Sequence, residues 1–326
     1  MLANYFRDHT MNKVEQWQLA VRRKLPLEQK IAMSLNRIRA WDQFWDLVSV
    51  SFSGGLDSTA LLHLVRSILP DTQAVFVDTG LEYPENKQLV KSTENVLIIK
   101  PKKKFRQVIE QYGYPVVSKR YSQYIREVRN SKGYTATKRL RLTGYNSKGE
   151  FSAKSMIPKK WQYLIQSPFK INDRCCFWLK KQPLRKIEKM GYMPFVGTRA
   201  AESNQRAQSY YRYGCNAFDM KHPRSTPLAF WTDQDILDYI RIFNVPYSKL
   251  YDMGYKRSGC MFCMFGLPFE DSPNRFQRMK LTHPKHWKFC IEKLGLGPVI
   301  EYIGCQWNIV QPTLPGFEKM IFGLPE

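Results

Sequence analysis

The chain of 326 residues contains no apolar run close to the ~20 residues that a membrane-spanning helix requires. Residues Met1–Lys24 are interrupted by charges and lack the apolar centre of a secretory signal peptide. Internal repeats and low-complexity tracts are also missing. These absences predict a soluble, cytoplasmic protein without a membrane partner. Its length accommodates one large α/β domain with additions, or two domains.

Acidic residues are scarce: 28 Asp and Glu stand against 51 Lys and Arg, for a net charge of +23. The excess is concentrated between Lys100 and Lys160, where 17 basic residues face three acidic ones and six tyrosines are interspersed. Basic side chains beside aromatic rings suit a nucleic acid, whose phosphates meet the cations while its bases stack on the rings. A solvated basic face, or one that attracts a small polyanion such as a nucleotide, has the same composition, because charge identifies attraction and not a ligand.

Histidine is rare, and none of the five is placed to complete a mixed cysteine–histidine zinc site. Seven cysteines in a chain without a secretory signal point away from disulfides and towards metal or redox chemistry. Four of them form a vicinal pair and a C-x-x-C motif: Cys175, Cys176, Cys260 and Cys263. Four thiolates are the normal ligand set of a [4Fe–4S] cluster, and adjacent cysteines, which point in divergent directions, can reach separate irons. A four-cysteine zinc site, or a buried pair with a separate redox-active C-x-x-C, remains open.

A Gly-Gly turn stands between a strand-like segment, Leu47–Phe52, and a helical one, Thr59–Val65. Glycines let successive backbone amides approach an anion, and the helix N-terminus adds partial positive charge at the same place. The turn therefore predicts a phosphate-binding loop that offers amides, hydroxyls and one carboxylate from Ser51, Ser53, Gly54, Gly55, Asp57 and Ser58. It is not a Walker loop, because no Gly-Lys-Ser/Thr follows. An ordinary capping turn is the alternative.

Further strand-like segments alternate with helical ones along the chain, at Ala74–Val77, Val96–Ile99 and Met193–Val196. This alternation predicts an α/β fold with a Rossmann-like parallel sheet and helical additions at both ends. We expect an N-terminal helical segment (1–45), a main domain (46–265) with a basic insertion at about 100–160, and a C-terminal helical segment and tail (266–326). Ligands of such sheets lie beyond the carboxyl ends of the strands, where Ser53 and Asp78 would stand.

Two arginines follow the last of these strands. Arg199 and Arg206 are seven residues apart and would share one face if the segment were a single helix. Guanidinium groups bind phosphate or sulfate oxygens in a bidentate manner, and Glu202 could hold one of the arginines in place. A salt-bridged surface helix is the alternative.

These motifs, taken together and in order, resemble the phosphoadenosine-phosphosulfate (PAPS) reductase family of the PP-loop adenine nucleotide α-hydrolase superfamily. In character the chain is similar to the [4Fe–4S] members, namely adenylyl-sulfate reductase and the PP-loop protein of DNA phosphorothioation systems. The resemblance covers about residues 47–100 and 173–265. It is carried by Ser53–Ser58, Asp78–Glu85, Cys175-Cys176 with Lys180–Leu184, Gly197–Arg206, Pro227–Tyr255 and Gly259–Cys263.

The resemblance implies roles for residues of this chain. It implies ATP or adenylyl sulfate as substrate, with Mg²⁺, and a [4Fe–4S] cluster on the four cysteines. Asp57, Arg199 and Arg206 would act in catalysis. The nucleotide would lie against the loop residues and against Asp78, Thr79, Gly80 and Glu202.

The chain also departs from the family's reductases. Their nucleophilic cysteine lies in a Glu-Cys-Gly-Leu-His-type tail, whereas residues 311–326 have neither cysteine nor histidine and the surroundings of Cys305 differ. With the basic insertion, this favours ATP-pyrophosphatase or sulfurtransferase chemistry in nucleic-acid modification or defence, with a sulfur-donor or modification-complex protein as a partner. A reductase that forms sulfite, and a non-catalytic accessory protein that binds nucleotide and nucleic acid, are the alternatives.

Overall fold

A computed structural model describes residues 14–308 of the chain, in which strands and helices alternate. The strands are β1 (Leu47–Ser51), β2 (Gln73–Val77), β3 (Val96–Ile99), β4 (Val116–Val117), β5 (Tyr192–Val196), β6 (Asn216–Ala217), β7 (Arg224–Ser225) and β8 (Met264–Phe265). The helices are α1 (Gln16–Lys24), α2 (Leu27–Asp42), α3 (Leu56–Arg66), α4 (Pro84–Ser92), α5 (Phe105–Tyr112), α6 (Lys119–Asn130), α7 (Ala136–Thr143), α8 (Gln182–Lys189), α9 (Asn204–Tyr213), α10 (Asp233–Ile242), α11 (Arg275–Thr282), α12 (Pro284–Lys288) and α13 (Leu296–Tyr302).

The chain divides into two compact units. Unit 1 comprises the chain up to Asp78, Tyr83–Lys100 and Pro183–Ser258. Unit 2 comprises Thr79–Glu82, Pro101–Gln182 and the chain from Gly259 onward. The domain boundaries predicted at residues 45 and 265 stay a prediction. No helix within residues 14–308 is both long and apolar enough to cross a membrane.

Unit 1 is built on a sheet with the strand order β3-β2-β1-β5-β7-β6. All its neighbouring strands are parallel except β6 and β7, which confirms the predicted parallel sheet. Val50 of β1 pairs with Ala74 on one side and with Phe195 on the other. The strand order therefore changes direction at β1, and in such sheets the crevice beyond the carboxyl end of that strand is the usual ligand site.

Apolar side chains on both faces of the sheet form the core of unit 1. Val50 and Phe195 are fully buried in the strands, as are Leu61 and Trp41 in the helices that cover them. Parallel sheets are buried on both faces in this way, so their strands consist of nearly continuous apolar residues. This packing fixes the end of β1, from which the glycine turn projects.

A buried ion pair joins α2 to α10. The Lys30 ammonium lies 2.6 Å from an Asp235 carboxylate oxygen, and the two side chains are only 2% and 13% exposed. We expect Lys30→Ala to lower the free energy of unfolding by about 3–5 kcal/mol, because Asp235 would keep a buried charge without its partner. Urea unfolding would measure the loss, with the exposed Lys24→Ala as the matched control, for which a change of less than about 0.5 kcal/mol is expected. Equal losses in the two variants would contradict the prediction.

Unit 2 contains the short parallel pair β4–β8, in which Val116 lies opposite Met264. Buried apolar residues of α5 and α6, among them Val108 and Ile125, pack within this unit. Within the basic insertion, one antiparallel bridge joins Tyr145 and Phe151. Apart from Lys100, the basic insertion belongs to this unit.

Candidate functional site

The predicted phosphate loop lies at the junction of β1 and α3. Gly54 has a φ of +73°, a left-handed conformation that favours glycine. The Ser58 hydroxyl donates to the Gly55 carbonyl over 2.9 Å and accepts from the Ser53 amide over 3.2 Å. The N-cap residue Gly55 has no side chain to cap α3, so the first amides of this helix are available to a ligand or to another part of the protein.

One of these amides is bound by a residue that the sequence did not single out. The Leu56 amide donates to the Tyr251 hydroxyl over 3.1 Å, and that hydroxyl donates to Ser258 over 3.0 Å. Burial raises the pKa of Tyr251, so its hydroxyl stays protonated at neutral pH. Tyr251 thus occupies a position that a phosphate oxygen at the helix N-terminus would also use. Only the family-like segment around it could have indicated this role.

Arg199 is buried and holds the loop carboxylate. Its Nε donates to an Asp57 oxygen over 2.6 Å, and its Nη2 lies 2.7 Å from the exposed Asp233. Burial lowers the pKa of Arg199, but the two carboxylates outweigh burial and the net direction is upward. Within residues 14–308 the buried Nη1 of Arg199 has no hydrogen-bond partner. A buried guanidinium group with an unused donor is expected where an anion binds.

Arg206 is placed differently from the expectation of a single helix. Arg199 precedes a 3₁₀ turn, Ala200–Glu202, and an extended Ser203 then caps α9, which carries Arg206. The two arginines nevertheless line the same cavity. Glu202, predicted to hold one of the arginines, forms an ion pair with Arg206 and also accepts from the backbone amide of Arg199 over 2.8 Å.

Gly197, directly after β5, packs against the phosphate loop. A Cβ at this position would lie 2.9 Å from the Asp57 carbonyl oxygen and 3.1 Å from the Ser58 Cα. Both are backbone atoms at the start of α3, so the loop itself would have to move. We expect Gly197→Ala to weaken adenine-nucleotide binding by at least tenfold, as measured by titration calorimetry. Gly133→Ala, at a glycine of unit 2 with open space around it, strains only its own turn through its φ of +75° and should leave binding unchanged. Equal affinities for both variants would contradict the prediction.

The second predicted nucleotide motif divides between the two units. Asp78, in unit 1, forms an ion pair with Lys87 at 2.7 Å. In unit 2, the Thr79 amide and hydroxyl both donate to the Glu82 carboxylate, over 3.0 and 2.7 Å, and Gly80 has a φ of +80°. These bonds give Thr79–Glu82 a defined turn. The Leu81 carbonyl accepts from the Met261 amide over 2.8 Å, which places this turn beside the C-x-x-C motif.

The four predicted cysteine ligands all belong to unit 2 and interact with one another. The Cys175 and Cys176 sulfur atoms lie 3.9 Å apart and share a hydrogen bond. The two side chains therefore do not point in divergent directions, contrary to the prediction. The pKa of Cys175 is raised by this bond and by burial, with contributions from Cys260 and Cys263. The pKa of Cys176 is lowered, first by its bond to Cys175 and then by nearby lysines.

A lysine completes this group of thiols. Burial raises the pKa of Cys260, and the Lys180 ammonium, which hydrogen-bonds to this sulfur, opposes that shift. Cys260 in turn raises the pKa of Lys180, against burial. Four mutually interacting cysteines with a buried cation fit a cluster whose thiolates carry negative charge. Within the described residues no three His, Cys, Asp or Glu side chains are arranged around a single metal ion. Cys215 and Cys290 are buried elsewhere, and Cys305 is half-buried.

The basic insertion presents many of its cations to solvent but few of its tyrosines. Lys119, Arg120 and Lys132 are among the exposed cations, and Tyr134 is 68% exposed. Other rings are engaged inside unit 2. Tyr112 stacks on Trp178, Tyr114 packs on Phe169, and the Arg141 guanidinium lies 3.7 Å from the centroid of Tyr124. The available aromatic surface is therefore smaller than the composition indicates.

Comparison with known proteins places these motifs in a family. The model of the phosphoadenosine phosphosulfate reductase domain matches residues 47–146 and 122–265. The adenosine 5′-phosphosulfate reductase of Geobacillus kaustophilus is 25% identical over 250 residues, which cover 76% of this chain and 86% of that protein.

A second reductase of this name, from Staphylococcus epidermidis, is 25% identical over 226 residues, which cover 69% of this chain and 73% of its own. A crystal structure of PAPS reductase from Candida auris aligns with a TM-score of 0.43 at 16% identity, covering 76% of this chain and 96% of that one. Since the family model spans more than half of the sequence, the chain belongs to the phosphoadenosine phosphosulfate reductase family.

Proposed function

We propose that this protein is an ATP pyrophosphatase or sulfurtransferase of the PP-loop type, acting in nucleic-acid modification or defence with the help of a [4Fe–4S] cluster. The observation that carries the proposal is the buried Arg199, which binds the loop carboxylate Asp57 and keeps an unpartnered Nη1. This unused donor can bind an anion, and the N-terminus of α3 nearby favours the same ligand.

The loop binds the phosphates of the nucleotide, and Arg199 acts on the charge that develops during the reaction. Backbone amides of Gly54 and Gly55 and the hydroxyls of the loop serines bind the β- and γ-phosphates. Asp57 and Asp78 supply carboxylate oxygens for Mg²⁺, which requires both to leave their present cation partners, Arg199 and Lys87. Released from Asp57, Arg199 neutralises the charge that develops on the departing pyrophosphate, and Arg206 acts with it.

The thiols of unit 2 would hold the cluster. Cys175, Cys176, Cys260 and Cys263 are its ligands, and the cluster supplies sulfur or electron chemistry when bound. Lys180 stabilises the anionic sulfur of Cys260 and so favours the deprotonated state that metal binding needs. Glu82 holds the turn beside these thiols through its bonds to Thr79.

The acceptor in this proposal is a nucleic acid. The exposed cations of the basic insertion, including Lys119, Arg120 and Lys132, provide the attraction for a phosphate backbone. A protein that supplies sulfur, or a modification complex, would act as a further partner.

A second candidate, reduction of adenosine 5′-phosphosulfate to sulfite, is favoured by the names of the two relatives above. That reaction needs a nucleophilic thiolate. Cys305 is a poor candidate because burial raises its pKa to about 11, which leaves little thiolate at neutral pH.

Two assays on anaerobically purified protein separate the candidates. Labelled MgATP should yield AMP and pyrophosphate, whereas ADP and phosphate alone would contradict the proposal. Sulfite from adenosine 5′-phosphosulfate with thioredoxin, lost in Cys305→Ser, would establish the reductase instead. Salt-sensitive nucleic-acid binding without either reaction would identify a non-catalytic accessory protein.

A further inference from the structure

A cavity of about 370 Å³ lies in unit 1 between α9 and the strands β5, β6 and β7. We call it the α9 cavity. One face of the helix lines it through Arg206, Ser209, Tyr210 and Tyr213, whose spacing of three to four residues places them on the same side. Ala217 of β6 lines it from the sheet. A volume of this size is typical of pockets that hold a small organic molecule, roughly 300–1,000 Å³.

Three arginines line the α9 cavity (Arg199, Arg206 and Arg224), and no carboxylate does. Arg199 and Arg206 are nevertheless paired with carboxylates outside the lining, namely Asp57, Asp233 and Glu202. Arg224 donates to the Ser209 hydroxyl over 3.3 Å and takes part in none of the ion pairs found within residues 14–308. Arg224 therefore provides the guanidinium group of this cavity that lacks a carboxylate partner within the described residues, and such a group is stabilised by a bound oxyanion.

The rest of the lining combines polar residues (Thr198, Gln205, Ser209 and Thr226) with apolar and aromatic ones. Tyr210 is buried and Tyr213 is 38% exposed, and Val196, Ala200 and Ala229 form further walls. An inorganic oxyanion would use the arginines and leave these walls without contacts. A molecule that combines a phosphate with a flat ring would use both, because the ring packs on tyrosine while the phosphate meets the guanidinium groups.

The α9 cavity is separate from the phosphate loop, although one residue connects them. No residue of Ser51–Ser58 lines it, and neither does Asp78. It lies on the β5 side of β1, whereas β2, with Asp78 at its end, lies on the opposite side. Arg199 lines the cavity and at the same time binds Asp57 of the loop. This places a second ligand beside the first with a shared arginine between them.

We propose that the α9 cavity receives one nucleotide of the single-stranded acceptor, its phosphate on Arg224 and its base against Tyr213 and Tyr210. The inference rests on the proposed function and names the part of the site that would take the acceptor. It requires that the loop and the cavity be filled by different molecules.

Photo-crosslinking tests this assignment directly. Twelve-nucleotide DNA and RNA strands carrying one 5-iodouracil would be irradiated with the full-length protein in the presence of MgATP, and the adducts mapped by mass spectrometry. We expect an adduct on Tyr213 or Tyr210. The DNA and RNA arms identify which strand is the acceptor.

Variants that fill the cavity provide the matched comparison. Ser209→Phe, from the half-buried lining of α9, and Ala217→Leu, from β6, should each lower the adduct yield at least tenfold. Gln208→Phe adds the same ring on the exposed side of α9 and should leave the yield unchanged. The two filling variants lie on different elements, so the test can still be made if one of them does not fold. Circular dichroism would show whether each variant folds.

Adducts confined to residues 119–160, or yields that the filling variants do not change, would overturn the inference. Pyrophosphate release from MgATP by the wild-type protein is measured in the same samples. Release with adducts elsewhere removes only the α9 cavity assignment, whereas absence of release removes the proposed function.

Discussion

Cys260→Ser is expected to abolish the iron–sulfur content of the protein. The wild-type chain, purified without oxygen, should contain about four irons and four acid-labile sulfides with visible absorption. Cys260 interacts with Cys176 and Cys263, and it is the thiol on which Lys180 acts. Its replacement removes both a cluster ligand and the counter-charge of the lysine, so we expect less than about one iron per chain.

Cys290→Ser is the matched control for this experiment. Cys290 is fully buried in the same unit, and burial raises its pKa to about 12, but it interacts with none of the four predicted ligands. It should keep the iron content and the spectrum of the wild type. Zinc in place of iron in the wild-type protein would support the four-cysteine zinc alternative. Iron loss in both variants would show that replacing any buried cysteine of this unit lowers the iron content, and would contradict a specific role of Cys260 as a ligand.

Arg199→Gln is expected to lower the rate of pyrophosphate release by about 10²–10³-fold, the usual effect of removing one donor from a developing oxyanion. The side chain keeps an amide but loses the charge and two of the three donor atoms. Asp57 would then lose its partner at 2.6 Å, and the unpartnered Nη1 would be missing. Labelled MgATP under single-turnover conditions gives the rate directly.

Two comparisons make the Arg199 experiment specific. Asp233→Asn removes the other, 87% exposed, carboxylate partner of Arg199 and should change the rate less than about threefold. Arg199→Lys keeps the charge without the planar fork and should recover only part of the rate. Wild-type turnover in Arg199→Gln, with urea unfolding unchanged, would exclude Arg199 from the chemistry.

The phosphate loop could be predicted because its signals are local. A strand, two glycines and a helix follow one another within about twenty residues, and the positive φ of Gly54 is the conformation that only this residue type adopts readily. The parallel sheet could likewise be predicted, because its strands are mostly apolar segments that alternate with helices. The cap of α10 is equally local, because the Thr232 hydroxyl accepts from the Asp235 amide three residues later.

The arrangement of the arginines could not be predicted from local sequence. A spacing of seven residues would place both arginines on one face of a continuous helix, but Ser203 is extended and is the N-cap of a new helix, since its hydroxyl accepts from the Arg206 amide. Arg224, 18 residues beyond Arg206, could not be connected to it from the sequence. The two come together only because β7 pairs beside β5, next to the start of α9.

The sequence by itself determined the residue types on which the chemistry depends: a glycine turn after a strand, four cysteines, two spaced arginines and a strongly basic segment. The tertiary structure alone decided which of them meet. Asp57 and Arg199 are 142 residues apart, and Cys176 and Cys260 are 84 apart, yet each pair interacts. The physical reason is that hydrogen bonds and charge interactions act over a few ångströms of space, and only sheet pairing and core packing bring distant parts of a chain that close.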